Sequence, residues 1–214
     1  MKRSLSLVLS ILLTLALMLS MIGCGEQSKF IGKWEADVDM AKFINDGMAQ
    51  AGSSDITKYI ELDDFGIVFV MEFNEDGTYK MYIDEDSAKD AFEDAKEAFV
   101  DGMTEYFEDY IKDMGLGMTV EEVLAASGTD LEDAADQAYG DAMLKSLMDE
   151  TEKEGNFKVK DGKLFLSDGK DKNVDEKIYD TYEINDDELK LIKSYGSDDE
   201  DANALYPMTF ERVD

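Results

Sequence analysis

The stretch Phe30–Met40, FIGKWEADVDM, decides the fold. Its apolar and charged residues alternate: Trp34, Ala36 and Val38 lie between Lys33, Glu35 and Asp37. Side chains that point to opposite faces of a strand repeat with a period of two residues. The pattern therefore predicts a strand that buries one face.

Further strand pairs follow along the chain, each around a turn signal. Ile67–Phe73 and Thr78–Ile83 flank Asn74–Gly77, whose glycine can take the left-handed conformation. Other signals are the Asp161-Gly162 turn between Phe157–Val159 and Leu164–Leu166, the Asn185–Asp187 turn, and a last strand over Met208–Val213. Seven or eight short strands in hairpin succession favour an antiparallel β-barrel or meander.

A helical insertion is predicted within this barrel at about residues 86–154, and a shorter helical segment at Met40–Tyr59 with a break at Gly52-Ser53-Ser54. One apolar stripe at helical spacing comprises Ala88, Phe92, Ala95, Phe99, Met103, Tyr106 and Tyr110. A second stripe comprises Leu131, Ala135, Ala138, Ala142 and Leu147. The predicted fold class is α+β.

Helix boundaries have their own signals in the insertion. Ser87 marks a start, and two capping boxes, Thr119 with Glu122 and Thr129 with Glu132, mark two more. The predicted stops are Gly115 and Gly128.

The amino terminus predicts export. Lys2 and Arg3 precede the apolar stretch Leu5–Ile22, which ends at Gly23 and Cys24, the only cysteine of the chain. This order is typical of a signal peptide. The alternatives are an uncleaved transmembrane anchor, since the stretch is just long enough to span a bilayer, and ordinary secretion with a leftover thiol.

The ending Met21-Ile22-Gly23-Cys24 resembles the lipobox of bacterial lipoproteins. The resemblance implies that Cys24 becomes the first residue and carries a lipid anchor with acyl chains such as palmitate. The protein would then sit on the extracytoplasmic face of the cell membrane. The predicted organisation is a signal peptide at 1–24, a tether at 25–29 and a barrel domain at 30–214.

Charge narrows the choice of partners. Residues 1–24 contain two basic residues and no acidic ones, so the rest of the chain has 19 basic and 51 acidic side chains. Residues 84–154 alone contain 23 acidic residues and five lysines. Nucleic acid is excluded as a partner because its phosphates would be repelled.

Gly32 and Trp34 resemble the glycine-x-tryptophan start of lipocalin-like, or calycin, barrels. In that family the tryptophan lies across the barrel floor, and an arginine of the last strand packs on it. Arg212 is the only arginine after residue 3 and lies in the predicted last strand. The resemblance therefore implies a structural pair between Trp34 and Arg212.

A set of rings and methionines in the predicted strands has two interpretations. It comprises Phe69, Met71, Phe73, Met81, Phe157 and Phe165. Such side chains can line a cavity for a small apolar ligand. They can equally fill a hydrophobic core.

Catalytic and metal-binding patterns are weak. The chain has no histidine, and no thiol is left if Cys24 is lipidated, so the usual general base, zinc ligand and nucleophile are missing. The acidic runs do not follow the spacing of a calcium loop. Ser167–Lys170 fits an S-x-x-K string, but it lies in a predicted turn without the accompanying motifs. We therefore expect no enzymatic activity, metal or cofactor.

Taken together, the patterns predict a lipid-anchored, non-catalytic binding protein. Its ligand would be a small apolar molecule held in the barrel. The alternative is an envelope protein-protein interaction module that acts through the acidic helical insertion.

Overall fold

The computed structural model describes residues 25–50, 56, 58–60, 62, 64–170, 172–196 and 205–213. The predicted signal peptide, Cys24 and the break at 52–54 lie outside the described residues.

Eight strands form one closed barrel in which each strand pairs with its neighbours in the sequence, and the last pairs with the first. The strands are β1 Gly32–Asp39, β2 Gly66–Phe73, β3 Thr78–Ile83, β4 Lys153–Lys160, β5 Lys163–Leu166, β6 Tyr179–Ile184, β7 Glu188–Tyr195 and β8 Met208–Val213. The predicted antiparallel barrel and its α+β class are confirmed. Closure of the sheet by β1 and β8 is antiparallel, with Trp34 opposite Arg212.

The hairpin between β4 and β5 shows why the turn residues were informative. Asp161 has a φ of 54° and Gly162 a φ of 69°. A two-residue loop with positive φ at both positions matches the twist of the flanking strands. The turn sets the register in which Phe157 lies opposite Leu166 and Val159 opposite Leu164.

Five helices complete the described elements: α1 Ala41–Gln50, α2 Glu85–Met114, α3 Val120–Ser127, α4 Leu131–Tyr139 and α5 Asp141–Thr151. In the part of the chain that the structure describes, no helix combines the length and apolarity needed to cross a membrane. The chain divides into two compact units. The first contains residues 25–36, 70–81 and 153–213, and we call it the barrel unit. The second contains residues 37–69 and 82–152 with all five helices, and we call it the helical unit.

The start of α2 differs from the prediction. Its N-cap is Asp84, whose carboxylate accepts a hydrogen bond from the backbone N–H of Ser87 at 2.9 Å. The Ser87 hydroxyl accepts instead from the backbone N–H of Val68 at 3.1 Å. Asp84 takes the cap because a carboxylate three residues ahead reaches the free amide groups of the first turn.

The two predicted capping boxes have different outcomes. Thr119 and Glu122 form the predicted box at the start of α3. The second prediction is wrong, because Asp130 rather than Thr129 caps α4. Thr129 belongs to the end of α3, where its N–H donates to Leu124 O at 3.1 Å and the N–H of Gly128 donates to Ala125 O. These two bonds define a Schellman ending, with Gly128 left-handed.

The second predicted stripe is interrupted. Gly140 separates α4 from α5 with an extended backbone, so the helical phase is not continuous. Leu131 and Ala135 are buried as expected, while Ala138 and Ala142 are exposed. Leu144, which the stripe did not include, is the buried residue of α5.

Candidate functional site

Trp34 of β1 and Arg212 of β8 pack on each other where these two strands close the barrel, and we call this contact the barrel floor. The indole is fully buried, and the guanidinium carbon of Arg212 lies 4.1 Å from the ring centre. Trp34 Nε1 donates to the carbonyl of Phe30 at 2.7 Å. A cation over an indole face contributes about 0.5 to 2 kcal/mol, depending on burial.

Arg212 also donates hydrogen bonds to three backbone carbonyls. Its Nη1 and Nη2 donate to the carbonyls of Ile31 and Lys29, each at 2.7 Å, and its Nε donates to Asp186 O at 2.6 Å. Gly32 has a φ of 128°, and a Cβ there would lie 2.7 Å from Arg212 Nη1. The glycine of the opening motif is therefore needed for the approach of the arginine. These hydrogen bonds connect the segment before β1, at Lys29 and Ile31, to β8.

An aromatic cluster packs in the same unit. Phe30 contacts Phe73 with ring centres 5.4 Å apart and Tyr182 at 4.8 Å, and Phe73 contacts Phe157 at 4.8 Å. Edge-to-face pairs of this kind add about 0.5 to 1.5 kcal/mol beyond their buried area. Phe30 was not among the predicted ligand residues, and the predicted strand, which began at Phe30, begins in the structure at Gly32.

The structure brings together only some of the six predicted ligand residues. Phe73 and Phe157 are in contact, and Met71 is buried in the same unit. Phe165 is buried on the opposite face of β5 from Leu164, where its ring lies 5.9 Å from that of Tyr179. Of the other two, Phe69 is buried in β2 and Met81 is half-buried in β3.

Large side chains of the barrel retain almost no accessible surface. Between 0 and 2% of each is exposed for Phe30, Trp34, Met71, Phe73, Leu164, Leu189 and Phe210. A side chain that bordered a space large enough for water would keep accessible surface on that side. These seven side chains therefore border no water-sized space.

One buried polar pair lies in the barrel unit. Asp180 is only 8% exposed, and the Tyr206 hydroxyl donates to its carboxylate at 3.0 Å. Burial raises the pKa of the Asp180 carboxyl, although hydrogen bonds from Ser194 and Tyr206 oppose the rise. Asp180 pairs with the fully buried Leu164 of β5, so the burial of this carboxylate follows from strand pairing and had no signal in the sequence pattern.

A second buried hydroxyl belongs to Tyr79. It donates to the carbonyl of Ser167 at 3.1 Å, and burial raises the pKa of Tyr79 to about 12. The phenol therefore keeps its proton at ordinary pH and can donate it to the Ser167 carbonyl. Gly155 permits this packing, because a Cβ there would lie 1.9 Å from the Ser167 carbonyl oxygen.

The helical unit contains a groove of about 420 Å³ between the second half of α2 and α3. We call it the α2–α3 groove. Its lining residues are Thr104, Glu108, Ile111, Met118, Thr119, Val120, Glu121 and Leu124. Met114, Leu116 and Met118 lie in the connection between the two helices, or at its start, and are 58, 43 and 39% exposed. This segment therefore presents apolar side chains that are accessible to a partner.

A second concavity in the helical unit is acidic. It encloses about 530 Å³ and is lined by Glu93, Lys96, Glu97, Val100, Asp101 and Glu132. Lys96 forms an ion pair with Asp136, and its hydrogen bond to that carboxylate raises the pKa of Lys96. In the described residues, no three acidic or thiol side chains are grouped so that they could hold a metal ion.

The fold and these sites have to be interpreted from the chain itself. Comparisons with known protein families, with curated proteins and with solved structures find no match for this chain.

Proposed function

We propose that this protein is a lipid-anchored, non-catalytic binding protein on the extracytoplasmic face of a bacterial envelope. Its closed barrel, of lipocalin-like type, is the scaffold, and its acidic helical unit is the surface that binds another protein. The signal-like amino terminus ending at Cys24 supports the location.

The observation that carries the proposal is the distribution of exposed apolar side chains. Among the described residues, five large exposed apolar side chains lie in the helical unit and three in the barrel unit: Tyr110, Met114, Leu116, Met118 and Met143 against Ile178, Ile192 and Tyr195. α3 in addition has no buried residue at all. Binding energy comes from apolar surface that is still accessible, so the helical unit offers more of it.

A small apolar ligand in the barrel is the second candidate. A closed eight-stranded barrel is a fold compatible with ligand binding. The buried pair of Asp180 and Tyr206 offers polar atoms that would orient such a molecule. We rank it second because a ligand would have to displace the packed rings of Phe30, Phe73 and Phe157.

Site-specific photo-crosslinking in the producing cells tests the proposal. A photoreactive amino acid replaces Met114 or Met143 in the helical unit, and Ile192 or Tyr195 on the barrel as matched controls. The two controls are 39 and 40% exposed. We expect both helical positions to crosslink to the same polypeptide and neither barrel position to do so.

Two results would contradict the proposal. One is crosslinking from the barrel positions alone, and the other is no polypeptide adduct from any of the four positions. Native mass spectrometry of the purified protein then decides on the second candidate, which requires a retained small molecule.

A further inference from the structure

We infer that the α2–α3 groove binds a basic amphipathic helix of another polypeptide. The inference rests on the proposed function and narrows it from the helical unit to one groove and one class of partner.

The groove presents apolar side chains between two helices. Ile111 of α2 is buried, and Met118 and Leu124 keep accessible surface beside it. α3 has eight residues, which corresponds to about 12 Å of length. A helix that lay along α3 would contact it over about two turns, with apolar residues that recur every three or four positions.

α3 is the only described helix without a buried residue. Val120 and Leu124 are half-buried and keep accessible surface. The helix is capped by the box of Thr119 and Glu122 at one end and by Gly128 at the other. Helices of this length depend on tertiary contacts for their stability in water. A partner that covers Val120 and Leu124 would add such contacts.

Charge specifies the partner. Glu108 and Glu121 line the groove, and residues 104–124 contain six acidic residues and only one lysine. Apolar contacts with an acidic rim fit a helix that has an apolar face and lysine or arginine beside it. The same charge disfavours an anionic lipid surface, and it disfavours a second copy of this chain, whose formal net charge is −30.

The methionines suit a helical ligand. Met114 and Met118 are exposed near the groove. Their unbranched, polarizable side chains adapt to different apolar surfaces, which is a known feature of grooves that accept helices. The groove should therefore accept a designed helix of the right pattern, and this makes the inference testable without the natural partner.

The test uses the full chain in nanodiscs of zwitterionic lipid and a fluorescent peptide of about 18 leucine and lysine residues in an amphipathic pattern. A peptide of the same composition with its apolar face scrambled is the control. Fluorescence anisotropy at about 0.15 M salt gives each Kd, with empty nanodiscs subtracted. We expect the scrambled peptide to bind at least about tenfold more weakly. Equal binding of the two peptides would overturn the inference.

Two matched variants separate apolar contact from general attraction to an acidic protein. Met118→Asp and Ile192→Asp each add one negative charge at an apolar side chain that is 39% exposed, but only Met118 lines the groove. We expect Met118→Asp to weaken binding about tenfold and Ile192→Asp to leave it unchanged or stronger. Equal effects, or stronger binding to Met118→Asp, would overturn the inference.

A second pair of variants covers the case in which Met118→Asp disturbs α3. Glu108→Gln with Glu121→Gln removes two groove charges, whereas Glu93→Gln with Glu97→Gln removes two charges from the other concavity. We expect only the groove pair to weaken binding and to reduce its salt dependence. Equal losses in both pairs would show binding to acidic surface in general and overturn the inference.

The outcome is separable from that of the proposed function. If a natural partner crosslinks at Met143 but the peptide binds Met118→Asp as tightly as the unmutated protein, the proposed function holds and the inference about the groove is wrong. If the peptide binds as expected but no helical position crosslinks in cells, the groove binds helices and the proposed function is wrong.

Discussion

Replacement of Trp34 by alanine is the sharpest test of the barrel floor. The indole is fully buried, carries the guanidinium of Arg212 on its face at 4.1 Å, and donates to Phe30 O at 2.7 Å. Truncation of a buried tryptophan costs about 3 to 5 kcal/mol, because apolar contacts are lost and a cavity remains. The free energy of unfolding should fall by that amount.

This loss in the free energy of unfolding should be large enough to measure by chemical denaturation. Domains of this size unfold with about 5 to 15 kcal/mol, so Trp34→Ala removes a large share of the stability. Urea denaturation followed by far-ultraviolet circular dichroism measures it, since Trp34 is the only tryptophan and fluorescence is lost in the variant. The midpoint should fall with an unchanged slope.

Two further variants serve as controls for the cause of the loss. Trp34→Phe keeps an aromatic ring under Arg212 but removes the donor to Phe30 O, so we expect a smaller loss. Tyr195→Ala, at a residue that is 40% exposed on β7, should cost less than about 1 kcal/mol. A loss below about 1 kcal/mol for Trp34→Ala would mean that the indole is not buried and would refute the described floor.

Three other predictions concern the floor, the buried carboxylate and the anchor. Gly32→Ala should destabilise by about 1 to 3 kcal/mol in urea, because alanine is strained at a φ of 128° and its Cβ would meet Arg212; an unchanged midpoint would contradict this. Burial raises the folded-state pKa of Asp180, so the native protein loses stability as the pH rises from the unfolded pKa through the folded one. The melting temperature of Asp180→Asn minus that of the unmutated protein should therefore increase as the pH rises from 4 to 7. A difference that stays constant over this range would refute the raised pKa. Cys24→Ser should leave the protein unprocessed or released from membranes, as fractionation with mass measurement would show; a processed, membrane-bound form would argue against lipid anchoring.

Most of the barrel could be predicted because its signals are local. The alternation around Trp34 and the Asp161-Gly162 turn each depend on a few neighbouring residues, and the structure has a strand and a tight turn there. Thr119 and Glu122 form their box for the same reason. Local rules fail where two of them compete. Threonine is a common N-cap residue. The N–H of Thr129, however, already donates to Leu124 O in the Schellman ending at Gly128, so it is not free for the capping box.

The candidate sites were harder to predict because they depend on which face of an element is covered. Phe165 has the composition of a cavity residue, yet its register puts it on the other face of β5 from Leu164. Asp180 resembles the many surface acids of this chain until the pairing of β6 places it opposite Leu164. The α2–α3 groove has no sequence signature of its own, since Ile111 of α2 and Leu124 of α3 line it together only through a connection at residues 115–119 whose geometry the pattern does not specify.

Hydrogen exchange on the protein isolated from its producing cells tests most directly whether the helical unit is the binding surface. The protein is compared after isolation at low salt and after a high-salt wash that releases electrostatically bound partners. We predict that amides of residues 104–124 exchange faster after the wash, while those of β4 to β8 do not change. Changes confined to the barrel strands would contradict the account and point to a ligand inside the barrel.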